Sequence, residues 1–339
     1  MNNVALVTGA GGFIGSHLSE ELIGRGYSVL GIDNFAGGRR ENLNNLDHKR
    51  FHLLEADVSA LTADDLPIAT DKITHIFHLG ALADIVPSIV SPGDYFRANV
   101  QGTFNMLEIA RKLNVKKFLY AASSSCYGIP RTFPTPESAL VTPEYPYALT
   151  KFLGEAMALH WAKVYKLPVI SLRLFNVYGP RARTSGTYGA VFGVFLAQKR
   201  SGKPLTVVGD GEQTRDFTYV TDVVDAFISA AKSDVQCEVF NVGSGGTYSI
   251  NQLVALLGGE SVNIPKRPGE PDCTYADITK IIDSLGWQPR VSFEEGVKKM
   301  LAELDSWKSA PVWTPQTIAR ETELWFKYLS DGETNSNEQ

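Results

Sequence analysis

The sequence is poor in cysteine, with Cys126, Cys237 and Cys273 the only three in 339 residues. They lie far apart and form no Cys-x-x-Cys pair, which argues against a disulfide scaffold and a zinc site and fits a reducing compartment. Long apolar runs are missing as well. No stretch of about 18 apolar residues occurs, so no membrane span is expected. The opening Met1-Asn-Asn-Val-Ala-Leu-Val-Thr-Gly9 has neither a basic leader nor a long apolar one, so no signal peptide is expected and the location is read as cytoplasmic. Positive charge is not in excess: 32 Lys and Arg face 37 Asp and Glu, a net charge of −5. That disfavours a nucleic acid or an anionic membrane as partner, although local arginines can still hold a small anion. Internal repeats and low-complexity stretches do not occur.

What is present is an ordinary globular balance, 44% hydrophobic and 20% charged, enough to bury a sizeable core. Short apolar runs at 4–8, 28–33, 51–56, 75–79, 117–122 and 169–174 are expected as buried parallel strands. Longer amphipathic stretches at 14–25, 100–113 and 147–165 separate them. This alternation predicts an α/β fold, a Rossmann doubly wound parallel sheet over 1–178. After Gly179 the rhythm breaks into shorter elements rich in Pro, Gly and Arg. A smaller C-terminal α/β substrate lobe is expected over 179–330, with 222–231 and 240–242 able to return to the sheet. A ligand would then lie in the crevice beyond the strand ends. The polar tail 331–339 is expected to be disordered.

Gly9, Gly12 and Gly15 follow a strand and open a helix with Phe13 and Ile14. Glycines there allow a tight turn and close approach of a pyrophosphate to free helix N–H groups. Asp33 ends the second strand, where a carboxylate accepts hydrogen bonds from a ribose diol and repels a 2′-phosphate. This favours NAD over NADP. Asn34 follows it, and Asp57 and Val58 end the third strand, within reach of an adenine; Asp57 is alternatively a plain strand-end acid. Tyr147 and Lys151 stand at i and i+4, on one face of a helix. The strand before them ends in Ala121-Ala-Ser123-Ser124-Ser125, which places hydroxyls at the sheet's C-terminal edge.

Thr8-Gly-Ala-Gly-Gly-Phe-Ile-Gly15, Ser123-Ser-Ser-Cys-Tyr-Gly128, Tyr147-x-x-x-Lys151, Asn176-Val-Tyr-Gly-Pro180 and Thr214-Arg-Asp-Phe217 together resemble the extended short-chain dehydrogenase/reductase family. Within it the chain is most similar to the UDP-glucose 4-epimerase group. The resemblance covers 1–300 in collinear order. It implies that Tyr147 takes the sugar 4-hydroxyl proton, that Lys151 lies between it and the nicotinamide ribose, and that Ser123 hydrogen-bonds the same sugar oxygen. It implies a tightly bound NAD that accepts a hydride and returns it to the other face of a 4-keto sugar. A phenol of ordinary pKa about 10 needs cationic neighbours for this near neutral pH.

The resemblance also assigns Leu79 and Ala81 to the cofactor wall. It sets Asn99 beside the active site, its alternative role being a helix N-cap. Arg215 and Arg267 match a diphosphate clamp, and guanidinium forks suit phosphate oxygens. Glu270 would meet the nucleotide ribose and Asn176 the phosphates. Val191, Phe192, Thr206 and Val208 match the base pocket, unless they are plain core. Thr274 is small where the group gates its pocket, which leaves room for an N-acetyl group, while Arg183 resembles an arginine that pairs with a uronate. The family often has a lysine where this chain has Ala83. Dehydratases and decarboxylases of the family carry acids where Ser124 and Ser125 stand, so simple 4-epimerisation is favoured over them, with epimerisation at another carbon a further alternative; the intact Ser123, Tyr147 and Lys151 disfavour a silent NAD-binding scaffold. A homodimer through 100–113 and 147–165 is a family expectation, and 307–329 is expected as a C-terminal helix or partner surface.

Overall fold

The computed structural model describes residues 4–67, 72–182 and 190–330. The first strand, β1 (Val4–Thr8), is wholly buried, and α1 (Phe13–Gly24) follows it through the glycine turn. Next come β2 (Ser28–Asp33), β3 (Phe51–Glu55) and β4 (Ile73–His78). Two short helices, α2 (Ile85–Val90) and α3 (Pro92–Tyr95), run through a π-helical turn at Phe96–Gln101 into α4 (Gly102–Leu113). Then β5 (Lys117–Ser123), α5 (Pro146–Tyr165) and β6 (Val169–Leu174) complete the first half. All six expected strands are present, with ends shifted by up to two residues.

The second half begins with β7 (Asn176–Tyr178), α6 (Val191–Arg200), β8 (Leu205–Val208), β9 (Thr214–Arg215) and β10 (Phe217–Tyr219). The two candidate returns to the sheet differ: 222–231 lies in a helix, α7 (Val220–Lys232), whereas 240–242 lies in β11 (Glu238–Val242), which joins the sheet beside β6. The sheet has seven parallel strands in the order β11-β6-β5-β4-β1-β2-β3. The remaining elements are β12 (Tyr248–Ser249), α8 (Ile250–Leu257), β13 (Ser261–Ile264), α9 (Thr279–Leu285), α10 (Phe293–Ala302), α11 (Pro315–Glu321) and α12 (Glu323–Leu329). Small sheets pair β10 with β7, β12 with β9 and β13 with β8.

Strand periodicity divides the core between the two faces of the sheet. Ala5 and Val7 of β1 pack with Leu18 and Leu22 of α1 and Phe227 of α7. Val4 and Leu6 pack on the other face with Met106 of α4 and Ala158 of α5. A separate core around Tyr178, Phe192, Phe217 and Phe293 holds the second half together. Residues buried on both sides of the sheet explain why the strand runs are continuous in apolarity, not alternating. Among the described residues, no helix is long and apolar enough to cross a membrane.

One buried ion pair fixes how α5 sits on the sheet. Glu155 is 1% exposed, and its carboxylate accepts from Ser171 Oγ at 2.7 Å and from Arg173 Nη2 at 2.6 Å. Arg173 Nη1 donates to the Tyr127 hydroxyl at 2.8 Å, and Tyr127 donates to Asn241 Oδ1 at 2.7 Å. The network therefore joins α5, β6, the turn after β5, and β11. Removing one member strands a charge in a dry site. Arg173→Met is expected to lower unfolding stability by about 3–5 kcal/mol, and Glu155→Met added to it to restore most of the loss. Urea denaturation of both variants checks this; equal instability of the single and double variants would contradict it.

Candidate active site

The glycine turn is built by contacts that exclude side chains. Gly9 has φ +69 and donates to Ile32 O at 2.8 Å. A Cβ on Gly15 would run into the Gly9 carbonyl oxygen, and one on Gly11 would meet the Phe35 ring. Gly12 precedes α1 without any side-chain cap, which leaves the first N–H groups uncapped at Phe13 and Ile14, both on the cavity wall. This cradle suits a pyrophosphate. Asp33 is 7% exposed; its two oxygens accept from Gly11 N at 2.8 Å and Phe35 N at 2.7 Å. Burial raises its pKa above the ordinary carboxylate value. The acid thus shapes the turn as well as lining the crevice. Asp57 accepts from Ser59 N at 2.8 Å and from Asn34 Nδ2 at 3.3 Å, so a turn role and a place in the cavity wall coexist.

A cavity of about 720 Å³ extends from this turn across the ends of the strands into the second half. Ligand pockets of drug-sized molecules fall in the range of about 300–1,000 Å³. Val58, Leu79, Ala81 and Ala121 line it beside the turn. Ser123, Ser124, Ser125, Tyr147 and Lys151 line its centre. Asn176, Val191, Phe192, Thr206 and Val208 line the far end, with Arg215, Arg267, Glu270 and Thr274. Asn99 is not on the wall, and Arg183 lies outside the described residues, as does the tail 331–339.

Pro146 at the first position of α5 sets Tyr147 and Lys151 in the first two turns, facing the sheet. Burial pushes the Tyr147 phenol above its ordinary pKa, the Asp84 charge and Cys126 add to that, and a hydrogen bond with Ser123 opposes it. The Ser123 hydroxyl also meets Ser125 Oγ at 2.8 Å. Lys151 is 5% exposed, its ammonium 4.6 Å from the Tyr120 ring centre. Burial pushes its pKa down to about 7, with Glu155 opposing. Tyr145 stacks on Tyr147 at 6.4 Å and 9°, and Tyr95 meets Tyr147 edge-on at 6.3 Å. Both rings escape sequence reading, although the Tyr145-Pro146-Tyr147 triplet carried the signal for the first.

Asn99 does not cap a helix. The helical run starts seven residues earlier, at Pro92, and Asn99 lies inside the π-helical turn. Such turns often occur at functional sites. Here Asn99 Oδ1 accepts from Leu82 N at 2.7 Å, and Nδ2 donates to Leu82 O and to Thr150 Oγ1, both at 3.0 Å. Thr150 then donates to Tyr147 O at 2.9 Å. On the other side, Thr8 Oγ1 accepts from Leu79 N at 3.1 Å and Gly80 N at 2.9 Å. Its one proton is left for His78 Nδ1 at 2.8 Å. His78 is then protonated on Nε2, which donates to Thr103 Oγ1 at 3.0 Å, and Thr103 donates to Asn99 O at 2.5 Å. Burial, aided by the Lys151 charge, pushes the His78 pKa down to about 3, so the imidazole is neutral. A buried polar chain thus runs from the loop at 79–82 to the Tyr147 backbone.

At the far end Glu270 stands between two arginines: Arg267 Nη1 is 3.0 Å from Oε1 and Arg215 Nη2 is 3.8 Å from Oε2. Thr274 Oγ1 donates to Asn176 Oδ1 at 2.8 Å and accepts from Asp216 N at 3.0 Å, so this small residue ties two loops. Phe192 stacks on Tyr178 at 4.3 Å, and Thr206 bonds Gln198; both residues serve the core as well as the wall. Trp313 and Trp325 line the same cavity, a placement that the pattern of 307–329 does not reveal.

Residues 5–243 match the model of the NAD dependent epimerase/dehydratase family. The chain belongs to this family. It is 36% identical over 303 residues to the UDP-glucose 4-epimerase of Mycolicibacterium smegmatis, covering 87% of this chain and 96% of that one. It is 34% identical over 310 residues to UDP-glucuronic acid decarboxylase 1 of Arabidopsis thaliana, covering 88% of this chain and 69% of the relative. The solved UDP-N-acetylglucosamine 4-epimerase of Methanobrevibacter ruminantium M1, in complex with UDP-N-acetylmuramic acid, superposes with a TM-score of 0.84 at 32% identity, covering 90% of this chain and 99% of that chain. This family member is therefore an enzyme of an NAD-dependent epimerase/dehydratase type.

In this family member Lys151 has a measurable consequence for ligand-free stability. Its folded pKa, about 7, lies below its ordinary value of 10.5. Between these values the unfolded chain binds more protons than the folded one, so stability rises with pH. The burial penalty is fully present below pH 7 and fades toward pH 10.5. Relative to Lys151→Met, the wild-type protein is expected to gain unfolding free energy from pH 7 to 10. Parallel pH profiles of the two in urea titrations would refute this.

Proposed function

We propose that this chain is a cytoplasmic UDP-sugar 4-epimerase that retains NAD through its cycle. The observation that carries the reading is the meeting of three groups in one cavity: the glycine cradle, the Ser123–Tyr147–Lys151 centre and the Arg215–Glu270–Arg267 cluster. The relatives named for UDP-sugar chemistry support the nucleotide class. Residues 1–178 mainly hold the cofactor and 179–330 mainly hold the nucleotide sugar.

Gly9, Gly12, Phe13 and Ile14 would hold the pyrophosphate of NAD, Asp33 its ribose, and Asp57 with Val58 its adenine end. NAD held there would supply reversible hydride transfer at the sugar's C4. Tyr147 takes the proton of the 4-hydroxyl and gives it back. Its phenol is held high by burial and by Asp84, so it needs added positive charge at the cofactor's ring and at Lys151 to act as a base. Ser123 orients the same oxygen. Arg215 and Arg267 take the diphosphate, and Glu270 keeps both forks aimed. The Ser123-Ser124-Ser125 turn carries no carboxylate, which favours epimerisation over decarboxylation or dehydration. Exposed Phe104 on α4 with Leu149, Val164 and Tyr165 on α5 supports a homodimer through these helices.

A panel of UDP-glucose, UDP-N-acetylglucosamine and UDP-glucuronate, with products read by NMR, tests the reaction and names the sugar. Inversion at C4 of at least one is expected; release of carbon dioxide or water without inversion would overturn the reading. Tyr147→Phe is expected to lower kcat by about 10²–10⁴-fold, with NAD still recovered from the denatured protein. Retention of full activity would remove Tyr147 from the chemistry.

A further inference from the structure

The alignments that take in 96% and 99% of two relatives leave about a tenth of this chain unmatched. The family match begins at residue 5, so the surplus falls toward the C-terminal end. That end does not stay on the surface. Trp325 of α12 is 3% exposed and lines the cavity that holds Tyr147 and Arg215. Its Nε1 donates to Pro268 O at 2.7 Å, and its ring lies 5.4 Å from the Arg267 guanidinium. Two separate contacts thus reach the same loop, one holding its backbone and the other its cation.

The rest of the segment is anchored on both sides of the crevice. Gln198, fully buried, donates to the Trp313 carbonyl at 2.8 Å and to Thr206 Oγ1 at 2.9 Å. A capping box at Thr314 starts α11, whose Ile318 is buried in the second core. The Thr322 hydroxyl, bonded to Ile318 O at 2.8 Å, carries the chain into α12, which packs against α2 on the cofactor side. The segment 310–329 therefore spans from the second half of the chain to the first, over the end of the cavity where the arginines lie.

We propose that this C-terminal segment is a fixed wall of the substrate site and that Trp325 is a positioning residue for the diphosphate, acting through Arg267. The inference rests on the reading of Arg267 as a diphosphate ligand. An arginine side chain has many rotamers, and binding must freeze them. Glu270 restrains one edge of the Arg267 guanidinium, the Trp325 ring faces it, and the Pro268 carbonyl bond keeps the loop from moving. A pre-aimed fork loses less freedom when the ligand arrives. The wall helps bind the pyrophosphate and does not touch the reacting carbon, so it raises affinity without raising the rate of the chemical step.

The test is calorimetric affinity for UDP and for uridine in the NAD-loaded protein, with kcat and KM for the preferred UDP-sugar. Trp325→Ala is expected to weaken UDP about tenfold, to leave uridine unchanged, and to raise KM with kcat nearly constant. Trp325→Phe keeps a ring over Arg267 but loses the bond to Pro268, and an intermediate loss is expected; this variant also guards against misfolding of the alanine form. Trp307→Phe, a core change in the neighbouring turn, serves as control and is expected to leave UDP affinity as it was. Arg267→Ala with Trp325→Ala is expected to be no weaker than Arg267→Ala alone. If Arg267→Ala does not weaken UDP, the diphosphate reading of Arg267 fails and this inference with it. If Arg267→Ala weakens UDP but both Trp325 variants bind like wild type, or lose uridine equally, the inference alone is overturned.

Discussion

The buried pair of Glu155 and Arg173 sets the rotation of α5, and the proposed reactive centre depends on that rotation. Tyr147, Lys151 and Glu155 follow one another at four-residue intervals, so they share one face of the helix. Glu155 is locked to Ser171 and Arg173 on β6, which turns the other two toward the strand ends. The same arginine reaches Tyr127 and, through it, Asn241 on β11. The serine turn, the helix and the last strand are therefore held to a common point. Burying a charge is costly unless every hydrogen-bonding position is met; here the network around Glu155 and Arg173 draws on four elements, with β11 joined through Tyr127, which gives the arrangement little freedom to shift.

A second constraint runs through the N-terminal end of α5. The chain from Thr8 through His78, Thr103 and Asn99 to Thr150 has one direction of donation throughout, and a doubly protonated imidazole would break it at Thr8. Burial keeps His78 neutral and so preserves the pattern. The π-helical turn at Phe96–Gln101 is the local cost, because it brings the Asn99 side chain to the loop at Leu82 and to Thr150 at once. Cofactor loop and tyrosine helix are coupled through hydrogen bonds, without any direct contact between the glycine turn and Tyr147 being needed.

Much of this was legible in the sequence because it is local. A glycine turn between a strand and a helix, an acid at the end of the second strand, and a Tyr and Lys four apart each declare their surroundings within a few residues. A cap is the alternative that the sequence offers for Asn99 because hydropathy marks where a helix becomes amphipathic, and this helix begins earlier, at Pro92, on a stretch with no clear stripe. Glu270 gave no sign of standing between two arginines, since Arg215 is 55 positions away in the chain. Trp325 was visible only as an aromatic residue in a helix; its partners at Pro268 and Arg267 belong to a loop that periodicity does not describe. Phe192 and Thr206 show the opposite difficulty, because a residue that serves both core and cavity has the composition of a core residue.

The position of β11 bears on how the protein is made. This strand completes the sheet beside β6, yet it is the last of the seven to be synthesised and follows α6, α7 and the short strands β7 to β10. The glycine turn and the first six strands leave the ribosome well before it, and α12, which packs against α2, leaves later still. Domains form as their segments emerge, and pairings distant in sequence form slowly. A nascent chain accordingly possesses its dinucleotide cradle for some time while the Asn241 end of the Arg173 network is unmade and the wall at Trp325 does not yet exist.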